Sequence, residues 1–167
     1  MKEAKVAIIC GSDSDLPLLK SGIELLRSFN VNFEVRVLSA HRSPDEVRKF
    51  ATTASRRGIK VIIACAGMAA HLPGVIASHT HLPVIGVPLP AKELKGLDSF
   101  ISILQMPSGV PVATMSIGEA GVKNACIYAL EILALSDEGI KKKLLKYKEN
   151  LRKSVLKKDA KVKDMFS

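Results

Sequence analysis

The chain has 167 residues, 47% of them hydrophobic and 25% charged, with a formal net charge of +9. That length favours one domain whose fold buries roughly 70% of the surface its unfolded chain exposes, and that composition excludes disorder, collagen and a coiled-coil rod. No apolar run approaches the ~20 residues of a bilayer span, so no membrane association is expected.

The first strand pattern starts almost at once, at Val6, so no signal peptide is expected. Cys10, Cys65 and Cys126 are far apart, odd in number and without metal spacing. They read as reduced thiols of a cytoplasmic protein. The charge is uneven: the segment from Asp137 onward carries +6 of the total, and the rest only +3. A basic segment can bind nucleic acid, but a solvated helix face is the plainer reading. With no Trp and 4% aromatics, stacking platforms for single strands are hard to build, and no nucleic-acid partner is expected.

Lys5–Cys10 is a short apolar run ending at Gly11, as in a buried parallel strand. A helix with Leu16, Leu19, Ile23 and Leu26 on one face follows and closes at Asn30. Val31–Leu38 alternates as a strand. Ser43-Pro44-Asp45-Glu46 is a helix start: a cap serine, proline at the first position, an acid three residues on. This helix buries Val47, Phe50, Ala51 and Ala54 and stops at Gly58. Lys60–Cys65 is the third strand, Pro73–Ser78 a helix, Pro83–Val87 the fourth strand and 88–96 a loop.

Leu97–Gln105 reads as a helix and Pro111–Met115 as a fifth strand. Glu119–Leu135 is a helix with a stripe at Val122, Ala125, Cys126, Ala129, Leu130 and Leu133. A last helix, Ser136–Lys157, aligns Ile140, Leu144, Tyr147, Leu151 and Val155. The final ten residues are polar and are expected to fray. Strand–helix alternation of this kind predicts a three-layer α/β/α sandwich around a parallel five-stranded sheet, in flavodoxin-like order. Residues 1–136 form that domain. Residues 137–157 add an extra C-terminal helix whose stripe needs a neighbouring subunit to cover, and 158–167 are a polar tail.

Ligands of such sheets bind beyond the carboxyl ends of the strands. After the first strand come Gly11-Ser12-Asp13-Ser14-Asp15. Backbone N–H groups and hydroxyls there can hold an anion, the carboxylates suit ribose hydroxyls, and plain capping is the competing reading. Arg42, just before a helix start, is a phosphate clamp or a surface ion pair. His41 follows a strand at the mouth of the expected cleft, where an imidazole can act as acid and base. His71 ends the next strand loop and strengthens that reading. His79 and His81 look like ordinary surface or packing residues. No two candidate ligands have metal spacing. Gly67 and Gly74, with Ala69 and Ala70 between them, let a ligand approach the backbone. A dinucleotide fingerprint is absent.

Six runs occur in order: Gly11-Ser-Asp-Ser-Asp15, Ser39-Ala-His-Arg-Ser-Pro44, Ala69-Ala-His-Leu-Pro-Gly74, Gly96-Leu-Asp-Ser99, Gln105-Met-Pro107 and Ile117-Gly-Glu-Ala-Gly121. Together they resemble the class I N5-carboxyaminoimidazole ribonucleotide mutases of purine biosynthesis, over about residues 5–135. The resemblance implies a flavodoxin-like fold, a homo-octamer with the C-terminal helix reaching onto neighbours, and no metal, ATP or organic cofactor. It implies a ribonucleotide substrate whose carboxylate moves from the exocyclic nitrogen to ring carbon four. His41 matches the catalytic histidine, and His71 lies in the matching active-site loop. Ser12, Asp15 and Arg42 match the residues that bind the ribose phosphate, with Asp13 and Ser39 nearby; Gly67, Ala70 and Leu72 complete the expected substrate contacts. Met68 stands where the family usually has glycine, Cys65 replaces another small residue, and Pro90-Ala91-Lys92-Glu93 departs from a more polar run.

Three other readings compete. A class II relative carboxylates aminoimidazole ribonucleotide directly with carbon dioxide. A flavodoxin-like binding or receiver module would need a phosphorylatable aspartate where Cys65 stands, or aromatic residues to cover a flavin. A basic-tailed nucleic-acid binder would need a recognition motif, and none is present.

Overall fold

The computed structural model describes residues 3–166. The chain forms two compact units, residues up to Ala129 and residues from Leu130 on.

The first unit is built on β1 (Val6–Cys10), β2 (Phe33–Val37), β3 (Val61–Gly67), β4 (Val84–Leu89) and β5 (Ala113–Thr114). All pair in parallel, in the order β2-β1-β3-β4-β5. This is the flavodoxin-like order, with its switch point between β1 and β3. Both faces of β1 are buried, as are all residues of β3 except its last, Gly67. Hence these strands read as continuous apolar runs and not as alternating ones.

Helices α1 (Leu16–Ser28), α2 (Pro44–Ala54), α3 (Leu72–Ser78) and α4 (Leu97–Leu104) fill the crossovers, and α5 (Glu119–Ala134) follows β5. On one sheet face Ala7, Ile9, Ile62 and Ala64 pack with Val47, Phe50, Ala51 and Ala54 of α2, Leu72 and Ile76 of α3, and Ile103 of α4. Alternation sends Ile8, Cys10, Ile63 and Cys65 to the other face. There α1 and the first turns of α5 meet closely at Gly22, where an added Cβ would lie 2.8 Å from both Cys126 Sγ and Val122 Cγ1. Cys10, Cys65 and Cys126 are all free and buried. Burial pushes the Cys10 thiol up to about 11 and Cys126 up to about 12.

Most predicted elements stand within a residue or two, and the differences have local causes. The α1 stripe is displaced: Leu16 is exposed and Ile23 half-buried, while Gly22 and Leu25 join Leu19 and Leu26 inside. A single 3-10 turn at Asp13–Asp15 precedes the helix and shifts its start. Ser43 precedes α2 but does not cap it with its side chain. Its Oγ accepts from the Ser39 backbone N–H at 3.0 Å and donates to the Ser39 carbonyl at 3.1 Å. Strand β4 runs two residues past Val87, through Pro88, because β3 extends to Gly67 and pairs it with Leu89.

In the second unit, α6 spans Glu138–Phe166 without a break. The expected fraying beyond Lys157 is therefore corrected: the helix continues, supported by pairs such as Glu149 with Arg152 and Asp159 with Lys163. Of its predicted stripe only Leu144 is buried; Ile140 and Tyr147 are half-buried, and Leu151 and Val155 are exposed. Among the described residues no helix is long and apolar enough to cross a membrane.

Candidate active site

The strand ends of β1, β2, β3 and β4 surround a cavity of about 450 Å³. It lies at the switch point, where diverging crossovers leave a crevice.

The β1 loop supplies Gly11, Ser12, Ser14 and Asp15. Ser12 and Asp15 form a reciprocal cap: Ser14 N–H donates to Ser12 Oγ at 3.3 Å, and Ser12 N–H donates to Asp15 Oδ2 at 3.1 Å. Capping and ligand binding are thus not alternatives for these residues, since the cap itself holds them at the cavity edge. Burial raises the Asp15 carboxyl from its ordinary value, against the pull of the Ser12 and Gly11 backbone and of Arg42. Asp13 is exposed, and its Oδ1 accepts from Ser14 N–H at 3.0 Å and Ser12 Oγ–H at 3.2 Å.

The β2 loop supplies Ser39, Ala40, His41 and Arg42. Its shape comes from the Ser43–Ser39 clasp and from Arg42 N–H donating to Ser39 Oγ at 3.3 Å. Arg42 Nη2 donates to the Gly11 carbonyl at 2.8 Å, so the guanidinium joins this loop to the β1 loop. Five N–H donors on one planar group allow it to keep that bond and still meet an anion.

The β3 loop brings Gly67, Met68, Ala69, His71 and Leu72. His41 Nε2 lies 2.8 Å from His71 Nδ1, with the ring planes at 78°. One nitrogen must donate and the other accept, so the contact holds one proton between two rings. A proton can pass between them without a change of fold. His71 also borders a second cavity of about 220 Å³, with Ala70, Gly74, Val75, Ser102 and Met106.

The cavity brings together eight of the ten residues expected from the sequence: Ser12, Asp15, Ser39, His41, Arg42, Gly67, His71 and Leu72. Two lie elsewhere. Asp13 is exposed on the turn before α1 and does not line the cavity, and Ala70 is buried beside the smaller cavity. The sequence reading set the loop after the fourth strand among the ligand-binding strand ends but named none of Leu89, Pro90 and Ala91, which form cavity wall. The longer β4 puts them there. The buried Ser99 Oγ, 2.9 Å from both the Leu89 and Gly96 carbonyls, ties that segment to α4.

Comparison with known proteins identifies the family of the chain. Residues 5–154 match the AIR carboxylase family. The N5-carboxyaminoimidazole ribonucleotide mutase of Pyrococcus abyssi is 55% identical over 149 residues, covering 89% of this chain and 84% of that protein. The mutase of the same name from Bacillus subtilis is 54% identical over 151 residues, covering 90% of this chain and 93% of that protein. The crystal structure of Treponema denticola PurE superposes with a TM-score of 0.84 at 27% identity, covering 95% of this chain and 98% of that one. A flavodoxin-like sheet with these motifs at its strand ends, and family identity across most of its length, place the chain in the AIR carboxylase family.

Proposed function

We propose that the His41–His71 pair does the proton work of the reaction this chain catalyses. That reaction is the mutase isomerisation of purine biosynthesis, N5-carboxyaminoimidazole ribonucleotide to 4-carboxy-5-aminoimidazole ribonucleotide. The contact between the two imidazoles, 2.8 Å long at the cavity edge, carries the assignment.

The carbamate bond between nitrogen and carbon breaks, and its electron pair stays on nitrogen. His41, protonated, supplies the proton that nitrogen takes up. The liberated carbon dioxide is held against ring carbon four, whose electron pair forms the new carbon–carbon bond. His41, now neutral, removes the proton from carbon four and returns to its starting state. No electrons are gained or lost, so the sequence of steps requires no redox partner or cofactor. Confinement makes recombination effectively intramolecular, and Leu72, Leu89 and Pro90 give the cavity an apolar stretch of wall. Ser12, Asp15 and Arg42, with Ser39 beside them, receive the ribose phosphate. Gly67 and Leu72 line the path of the base. Asp13 acts on the turn and not on the ligand, and Ala70 acts through packing beside His71.

The catalytic work belongs to residues 1–136. In the same reading α6 packs on a neighbouring copy in a homo-octamer. Leu145, Leu151, Val155, Leu156 and Val162, all at least half exposed, support this. A cytoplasmic setting suits three unpaired thiols.

The test is to supply the purified protein with the carbamate nucleotide and, separately, with aminoimidazole ribonucleotide and modest bicarbonate. Efficient formation of the carbon-four isomer from the first alone is expected. Efficient turnover of the second would assign a direct carboxylase instead.

A further inference from the structure

Three residues other than glycine have left-handed backbone among those described: Asn30, Met68 and Lys95. Asn30 lies just past the Phe29 cap of α1, and asparagine adopts this conformation readily. Lys95 lies in the turn before α4. Met68 is different. Its φ is +56°, it follows a buried strand directly, and it borders the cavity that holds His41 and His71.

Two features of Met68 oppose folding. A side chain with a Cβ is disfavoured at positive φ, where glycine would fit. The side chain is also 65% exposed, leaving a large apolar group in water. Residues held in such a backbone conformation cluster at active sites and ligand clamps. Leu89, paired with Gly67 on the neighbouring strand, and Pro90 border the same cavity and are also apolar.

We propose that Met68 is a substrate-contacting residue: its thioether chain packs on the imidazole face of the bound nucleotide and closes the cavity over the released carbon dioxide. The inference rests on the mutase reading. Methionine suits the task because it is long, unbranched and flexible, and its sulfur makes favourable contacts with aromatic rings. Small neighbours at Ala69 and Ala70 give it room to turn inward. Loss of the side chain should therefore loosen nucleotide binding and let the gas exchange with solvent.

The experiment compares the full chain with M68A and M68L, turning over unlabelled carbamate nucleotide in buffer containing 13C-bicarbonate. Label in the product and KM are both read, and far-UV circular dichroism confirms the fold. The expected result is low label uptake in the unmodified protein and in M68L. For M68A, uptake per turnover and KM are each expected to rise about fivefold. If M68A matches the unmodified protein in both, the role given to Met68 is overturned while the mutase reading stands. If the unmodified protein does not turn over the carbamate at all, the mutase reading is overturned and this inference falls with it.

Discussion

His41 and His71 come from loops thirty residues apart, yet their Nε2 and Nδ1 atoms lie within hydrogen-bond distance at 2.8 Å. The Ser39–Ser43 clasp shapes the first loop, and the second leads directly into α3. Two rings sharing one proton can give and take protons in turn while their positions stay the same.

The pair should separate binding from chemistry. His41→Asn is expected to keep nucleotide affinity within a few fold, measured by calorimetry with aminoimidazole ribonucleotide. Its kcat should fall by about 10²–10⁴, the usual contribution of a positioned proton donor. His71→Asn should lower kcat by about 10², with little change in KM. A near-normal rate in His41→Asn would remove it from the chemistry.

Asp15 should give substrate binding an acid limb. Burial raises its carboxyl from the ordinary value, and the ionised form is the better acceptor for ribose hydroxyls. As pH falls through that raised value the group is neutralised. KM should then rise at a pH where ordinary carboxylates are still charged, with a limiting slope of about tenfold per pH unit. Folding shows the opposite sign. A carboxyl whose folded value exceeds its unfolded one contributes stability below the unfolded value, and loses it as pH rises through the folded one. Asp15→Asn should remove both dependences, as followed by KM and urea midpoint against pH.

Ser99 should matter more than its distance from the histidines suggests. It is fully buried, and its hydroxyl bonds at the Leu89 and Gly96 carbonyls. Replacement by alanine takes a donor from the Leu89 carbonyl, while Gly96 keeps its bond from the Phe100 N–H, and should cost about 0.5–1.5 kcal/mol by urea denaturation. Because Leu89 borders the cavity, KM should rise as well. An unchanged urea midpoint would show that water replaces the hydroxyl.

The sheet was legible in the sequence because β1 and β3 are buried on both faces and so appear as unbroken apolar runs. Right-handed crossovers then leave few possible strand orders, and the site follows from the switch point. What escaped the sequence reading is finer. Ser43 has the identity and position of a cap, but periodicity cannot show that Ser39 would claim its hydroxyl. Pro88 reads as a strand terminator, yet an N–H is needed in a strand only where an acceptor waits for it. The extension of β4 beyond it is what makes Leu89, Pro90 and Ala91 cavity wall. For α6, polarity suggested fraying, whereas charge pairs three and four residues apart support a helix of that composition.

The central claim is that the carboxylate leaves nitrogen and reaches carbon four without escaping the cavity at His41. The most direct measurement uses nucleotide carrying 13C in its carbamate carbon, turned over by the unmodified protein in a large excess of unlabelled bicarbonate. Product examined by 13C NMR should retain nearly all of the label at its new carboxylate. Product carrying the isotopic composition of the medium would contradict the account.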